Sequence, residues 1–158
     1  MHEPVKLRPA TREDCRQLWE WRNEEETRQA SFNTNFILYD AHERWFLEKL
    51  DDSQTGIFII LDNLDNKLGY VRFDFRGEEA EINVSIDREA RGRGYGSRAI
   101  RLASEYLLTT GMVKRIVAYI KVENATSKSA FEHAGFILLG IKRVLGVEAY
   151  EMIYPGKE

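Results

Sequence analysis

The run Arg91-Gly92-Arg93-Gly94-Tyr95-Gly96 sets three glycines at alternate positions beside two cations. A strand-like segment, Glu81 to Ile86, precedes it, and a helix-like segment, Ser97 to Thr110, follows. A loop with so little side-chain bulk lets its backbone N–H groups converge on one small anion. The helix behind it adds further N–H groups and the positive end of its dipole. The chemistry indicated is the binding of a phosphate or pyrophosphate. Two phosphate-binding patterns do not fit. A dinucleotide fingerprint starting at Gly92 needs glycine at position 97, which is Ser97. A nucleoside-triphosphate loop ends in Gly-Lys-Ser/Thr, and the chain has none.

The spacing that does fit is Arg-x-x-Gly-x-Gly, read as Arg91, Gly94 and Gly96. It resembles the acyl-CoA loop of the GNAT superfamily of N-acetyltransferases. A second motif follows the strand-like Ile116–Val122: Asn124, a small residue at Ser127, an aromatic at Phe131, then Gly135-Phe136. Asn124 suits a helix N-cap and Gly135 a left-handed helix end. The resemblance covers Leu7 to about Tyr154.

That resemblance implies an α/β (α+β) acyl-CoA N-acyltransferase fold. Its mixed central sheet has about seven strands and about four flanking helices. The parallel strands 4 and 5 splay apart, and the acyl-pantetheine lies in the opening. Acetyl-CoA is implied as co-substrate and no metal is expected. The resemblance assigns Val84, Ser85 and Ile86 to the pantetheine main chain. It assigns Arg91, Gly92, Arg93, Gly94, Tyr95, Gly96 and Ser97 to the pyrophosphate. Asn124, Ser127, Lys128 and Phe131 complete the acyl-CoA side.

The reaction implied is direct attack of a primary amine on the thioester. The attacking amine must first lose a proton, and the tetrahedral oxyanion needs a preorganised donor. Glu81, Asn83 and Ser85 share one strand face, so the base is either Glu81 or a water chain held by Asn83 and Ser85. Glu123 reads rather as a helix-entry charge. The family often places a thiolate-protonating tyrosine where this chain has Phe131. Tyr119, Tyr150 or water is left to protonate the thiolate, whose conjugate thiol has a pKa of about 8.5. A catalytically weak acyl-CoA-binding module is the alternative of another class.

The acceptor is read from the first third. Trp-Arg-Asn at 21–23, Arg28 with Ser31-Phe32-Asn33, and His42 with Trp45-Phe46 resemble N-acetyltransferases of 4-amino nucleotide sugars in the pseudaminic-acid pathway. Trp21, Arg22, Asn23, Arg28 and Asn33 are the expected substrate residues, since arginine forks suit phosphate oxygens. An ordered loop tied by its own hydrogen bonds is the competing reading. A protein N-terminal or polyamine acceptor is the alternative substrate.

Composition suits one domain spanning 1–158. The 158 residues are 43% hydrophobic with a net charge of −3. Five arginines at 88, 91, 93, 98 and 101 gather about the glycine loop, and acidic runs gather elsewhere. No basic tract or aromatic RNA motif indicates nucleic-acid binding, and no apolar run is long enough for a membrane span. The start, Met1-His2-Glu3-Pro4, lacks an apolar signal stretch. The single cysteine, Cys15, excludes an internal disulfide and fits a cytoplasmic location. Cys15 and Trp19 read as core, Trp21 as core or pocket wall, and His2, His42 and His133 show no pattern for cysteine catalysis. A homodimer is left open.

The elements that must position these residues follow from periodicity. A first strand includes Val5 and Leu7. Thr11 and Asp14 open a helix through Arg22, and Asp40 with Glu43 opens another to Leu50. Strands read 56–61, 68–75 and 79–86. After the loop come helix 97–110, strand 115–122, helix 125–134, and strands near 136–143 and 148–154. The segment 23–38 is polar without a clear strand. A right-handed crossover through helix 97–110 makes strands 79–86 and 115–122 parallel neighbours.

Overall fold

The computed structural model describes residues 4–155; His2 and the start of the chain lie outside it. Seven strands form one mixed sheet: β1 (Lys6–Pro9), β2 (Thr55–Leu61), β3 (Lys67–Arg76), β4 (Glu79–Ile86), β5 (Arg115–Lys121), β6 (Ile137–Val144) and β7 (Val147–Tyr154). Their spatial order is β1-β2-β3-β4-β5-β7-β6. Five helices flank them: α1 (Cys15–Asn23), α2 (Glu25–Ala30), α3 (Tyr39–Leu50), α4 (Tyr95–Thr109) and α5 (Ala125–His133). The helix additional to the expected four is α2, inside the polar segment. No described helix is long and apolar enough to cross a membrane.

Alternation along the strands divides the core between the two sheet faces. Val71, Phe73, Ile82, Ile116 and Met152 pack with Ala99, Ile100, Ala103 and Leu107 of α4 and Phe131 of α5. Ile57, Ile59 and Tyr70 pack with Cys15, Leu18, Trp21 of α1 and Phe46 of α3. Each fully buried Leu, Ile or Phe contributes about 1.5–3 kcal/mol, so both helical layers are held by the same sheet.

The α1 stripe runs Cys15, Leu18, Trp21, each buried. Trp21 is therefore the core tryptophan and Trp19 is half-buried, the reverse of the emphasis that a stripe through Trp19 predicts. Trp21 stacks on Tyr70 and donates to Asp87 Oδ1 over 2.8 Å. Trp19 instead meets Phe36 and Tyr39 edge-on and donates to the carbonyl of Ile37.

The entry to α1 is fixed by a buried carboxylate. Asp14 accepts 2.8 and 2.9 Å bonds from both terminal nitrogens of Arg8, 2.8 Å from Thr11 N, and 3.1 Å from Lys67 Nζ. Burial alone pushes this carboxyl up. The bonds from Arg8, Thr11 and Lys67 outweigh it and hold Asp14 far below the usual carboxylate range. A depressed folded-state pKa stabilises the fold above the unfolded value of about 3.9 and loses that contribution as pH falls below it. Asp14→Asn is expected to lower stability by about 3 kcal/mol at pH 7, as measured by urea unfolding. The gap between wild type and variant should narrow progressively as pH falls below about 4 toward the depressed folded-state value.

Candidate active site

β4 and β5 pair in parallel only at Glu79–Arg115, Ala80–Ile116 and Glu81–Val117. Beyond that point β4 stays on β3 through Ile86, and β5 stays on β7 through Lys121. The two strands therefore part after Glu81, as expected, and leave one backbone edge of residues 82–86 without a strand partner. α4 begins beyond the C-terminal end of β4, and α5 beyond that of β5. Both helix N-termini thus lie at the mouth of the opening, where ligands of open α/β sheets bind.

A cavity of about 840 Å³ runs through this opening. Asn124, Ser127 and Phe131 line one end, Ile82 to Ser85 the middle, and Arg28, Asn33 and Trp45 the other. Of the expected residues, Glu81, Asn83, Val84, Ser85, Tyr119, Arg22, Arg28 and Asn33 also lie on its wall.

The glycine loop differs in detail from its expected use. Gly92 and Gly94 hold φ of +79° and +78°, and Gly94 is the N-cap of α4. The helix therefore starts at Tyr95, two residues before the expected Ser97, and Gly96 lies in its first turn. First-turn N–H groups have no intrahelical acceptor. A Cβ on Gly96 would meet only Ile86 Cγ1 at 3.5 Å, an ordinary contact. The free face at Gly96 thus keeps the first turn accessible, whereas Gly92 and Gly94 are required by backbone conformation.

Arg98, one turn into α4, is one of the five arginines about the loop but not among the residues assigned to the pyrophosphate. Its Nε and Nη1 are buried with no hydrogen-bond partner, and its guanidinium lies 5.0 Å from the Tyr95 ring. Arg93 beside it makes no ion pair among the described residues. Two uncompensated cations beside an open helix start fit the pyrophosphate of CoA.

Arg91 does not serve that end with its side chain. Nη2 reaches Glu24 Oε2 at 2.5 Å, Nη1 reaches Glu26 at 2.8 Å, and Nε donates to the carbonyl of Ile86. The guanidinium is saturated by the α1–α2 corner, and only the Arg91 backbone remains for the loop. Lys128 likewise pairs with Glu132 at 3.3 Å, lies over the Tyr150 ring, and is off the cavity wall.

Asn124 caps α5, its Oδ1 accepting from Ser127 N at 3.2 Å. Its Nδ2 is left for the cavity. Phe131 is buried and meets Phe136 edge-on at 5.0 Å. Among the tyrosines expected to replace its missing hydroxyl, Tyr119 lines the cavity and Tyr150 packs against the core. Tyr119 donates to Glu151 Oε2 over 3.3 Å. Burial, then the Glu151 charge, push its pKa up. Glu81 stands where the strands part, 3.4 Å from Arg76.

Two expected substrate residues, Trp21 and Asn23, act instead on the fold. Trp21 is core and off the cavity wall. Asn23 both donates to and accepts from the Ile37 backbone, at 2.8 and 2.7 Å, and so pins the loop before α3. Arg28 lines the cavity but also donates to the carbonyls of Asn23 and Thr34. Arg22 Nη1 lies 2.9 Å from His42 Nδ1 and over the Trp45 ring at 4.1 Å. Because arginine only donates, His42 Nδ1 accepts, so Nε2–H donates to the Cys15 carbonyl at 2.8 Å. Burial, with Arg22 beside it, pushes the His42 pKa down and keeps the ring neutral. Cys15 is buried, as expected of a core residue. Among the described residues no His, Cys, Asp and Glu group is placed to hold a metal ion.

Residues 5–137 match the family model described as an acetyltransferase (GNAT) domain. Spermidine N(1)-acetyltransferase of Vibrio cholerae is 24% identical over 140 residues, covering 87% of this chain and 81% of that protein. The Escherichia coli spermidine N(1)-acetyltransferase is 26% identical over 148 residues, covering 86% and 74%. The crystal structure of the Vibrio cholerae spermidine N-acetyltransferase with CoA and spermine superposes with a TM-score of 0.84 at 22% identity over 94% of each chain. An aminoglycoside acetyltransferase solved with coenzyme A gives 0.83 at 20% identity over 94% and 93%. These superpositions establish the same fold.

Two glycine substitutions separate binding from folding. Gly96→Val is expected to fold and to weaken CoA binding at least about ten-fold in calorimetry, by covering the first-turn N–H groups. Gly94→Val should also lose about 1–3 kcal/mol of stability in thermal or urea unfolding, because valine is strained at positive φ. Unchanged CoA affinity in a folded Gly96→Val protein would refute this use of the helix start.

Proposed function

The chain belongs to the GNAT family of acetyl-CoA-dependent N-acetyltransferases, and we propose that it acetylates the primary amine of a small molecule in a ternary complex. The observation that carries this reading is the parting of β4 from β5 beside the open start of α4. One unpaired strand edge and one helix N-terminus together suit an extended amide arm ending in a pyrophosphate. The nucleotide-sugar acceptor expected from the first third gains no support from the named relatives. Those relatives favour the polyamine alternative, a small amine carrying no nucleotide. A cytoplasmic location belongs to the same reading.

The steps follow from the wall of the cavity. The acceptor arrives as an ammonium, and Glu81 removes its proton directly or through one water held by Asn83 and Ser85. The amine lone pair then attacks the thioester carbonyl carbon. A main-chain N–H on the unpaired β4 edge meets the developing oxyanion, in the segment Val84 to Ile86. Collapse breaks the C–S bond to give a thiolate, and the attacking nitrogen sheds its second proton as the neutral amide forms. The Tyr119 hydroxyl already faces Glu151, and its pKa is pushed above the tyrosine norm. Proton transfer from it to a thiolate of pKa about 8.5 runs uphill. The thiolate takes instead the proton shed by the attacking nitrogen, relayed by water, which accommodates phenylalanine at position 131.

Thiol release from acetyl-CoA with a panel of primary amines, spermidine among them, tests the reading, with acetylated products identified by mass spectrometry. Tight CoA binding without turnover of any amine would leave only a binding module. Glu81→Gln should lower kcat about 10²–10⁴-fold at neutral pH, and the deficit should shrink as pH rises and more amine is already neutral. An unaltered pH–rate profile would remove Glu81 as base. Tyr119→Phe should lower kcat by less than about ten-fold if a water relay from the attacking nitrogen, not this hydroxyl, protonates the thiolate.

A further inference from the structure

The acceptor half of the cavity is cationic. Arg22, Arg28, Arg72, Arg76, Lys142 and Arg143 line it, and Glu81 is the one carboxylate among the described lining residues. Three of those cations have carboxylates nearby: Asp74 lies 3.3 Å from Arg72, Glu81 3.4 Å from Arg76, and Glu151 3.9 Å from Lys142. The other three make no ion pair among the described residues. Arg22 meets neutral His42 and the Trp45 face, while Arg28 and Arg143 donate to backbone carbonyls. Counting Asp74, Glu81 and Glu151 against six cations, three positive charges stay uncompensated.

One of the three, Arg22, shares a corner with Arg72. The Arg22 and Arg72 guanidiniums share the Trp45 ring, at 4.1 and 5.6 Å from its centroid. Burial, then the nearby Arg72 charge, push the Arg22 pKa down. Arg72 stands directly opposite Asn83 in the β3–β4 register, so both side chains leave the same sheet face. Arg72 Nε is near Asp74 without hydrogen-bond alignment, and Asn83 Nδ2 has no acceptor. Buried donors are nearly always satisfied. Two adjacent unsatisfied donors between two like charges call for one acceptor group with negative charge.

We propose that the acceptor amine of this chain carries a second, anionic group, a carboxylate or a phosphate, seated among Arg72, Asn83 and Arg22 with Trp45 behind it. The amine then reaches along β4 toward Glu81. The proposal rests on the small-amine reading of this site and narrows it. A bare polycation such as spermidine brings further positive charge to an already cationic wall, so this chain departs from its relatives in acceptor and not in chemistry.

Four amines on one butyl chain test it: 4-aminobutanoate, 4-aminobutyl phosphate, 4-amino-1-butanol and 1,4-diaminobutane. Thiol release at saturating acetyl-CoA gives kcat/KM for each. One of the two anionic amines should exceed the alcohol by about ten-fold or more, with the diamine below the alcohol. The two anionic arms distinguish carboxylate from phosphate. Arg72→Gln and Arg22→Gln should each raise KM for the preferred anionic amine by about ten-fold, about 1.4 kcal/mol. The acetyl-CoA KM should hold, and the alcohol should respond far less. A merely structural role for either arginine would depress all the amines together. Preference for the diamine or for spermidine, or equal losses across the series, would overturn the proposal while leaving the acetyltransferase intact. Silence with all four amines and with spermidine would remove the small-amine reading, and this proposal with it.

Discussion

Two strands cannot part without leaving main-chain groups unpaired, and that constraint governs the rest of the molecule. β4 and β5 share three register pairs and then separate, each keeping its outer neighbour. An unsatisfied buried backbone donor costs about 1–3 kcal/mol, so an idle opening would be a standing penalty. Open to solvent, those groups suit an extended ligand with its own amides, as the reading proposed above requires. The glycine loop and the start of α4 lie at the same end because the chain leaves β4 there. One departure from sheet pairing thus creates both the slot for an amide arm and the cradle for its phosphates.

An opened sheet needs bracing, and long-range polar contacts supply it. From the β4 side, Arg91 ties the loop to Glu24, Glu26 and Thr27 of the α1–α2 corner and to the Ile86 carbonyl. The hydrogen bond from Arg91 lowers the Glu24 pKa, and Glu24 raises that of Arg91 in turn. From the β5 side, buried Lys121 donates to the Gln29 carbonyl of α2 over 2.9 Å. α2 therefore spans the cleft and is pinned to both lips. A third device lies in β3, where a Cβ on Gly69 would stand 2.0 Å from the Ser85 carbonyl. Only glycine lets β3 follow β4 that closely beside the segment where β4 has lost β5.

Features whose partners lie within a few residues were legible in the sequence. The glycine loop between strand and helix, the Asn124 cap, the Thr11–Asp14 helix entry and the parallel pairing through α4 all came from local spacing. Strand ends fell within one residue for β2, β3, β4, β5, β6 and β7. Features that depend on distant partners were not legible. Arg91 looked like a phosphate ligand because nothing near it announces Glu24, sixty-seven positions away. Asn23 looked like a substrate residue because its partner, Ile37, is defined only once the loop has folded. The tryptophans exchanged roles because the α1 stripe counts from Cys15, which sets Trp21 inward and turns Trp19 aside. α2 carries no buried residue, so it has no apolar period to read.

The two halves of the cleft are built from different materials, which decides how far likeness to other proteins reaches. The acyl-CoA half relies on backbone: a strand edge, a helix start and left-handed glycines. Backbone geometry survives when three residues in four differ, and the fold is shared with a structure only 22% identical. The acceptor half relies on side chains from α1, α2, the loop before α3 and the β6–β7 hairpin. Each can change without disturbing the sheet. Charge there is set residue by residue: Arg22 stands on α1, Arg72 on β3 and Arg143 on β6. A shared fold therefore carries the thioester chemistry across relatives, while the acceptor must be read from the cations on this wall.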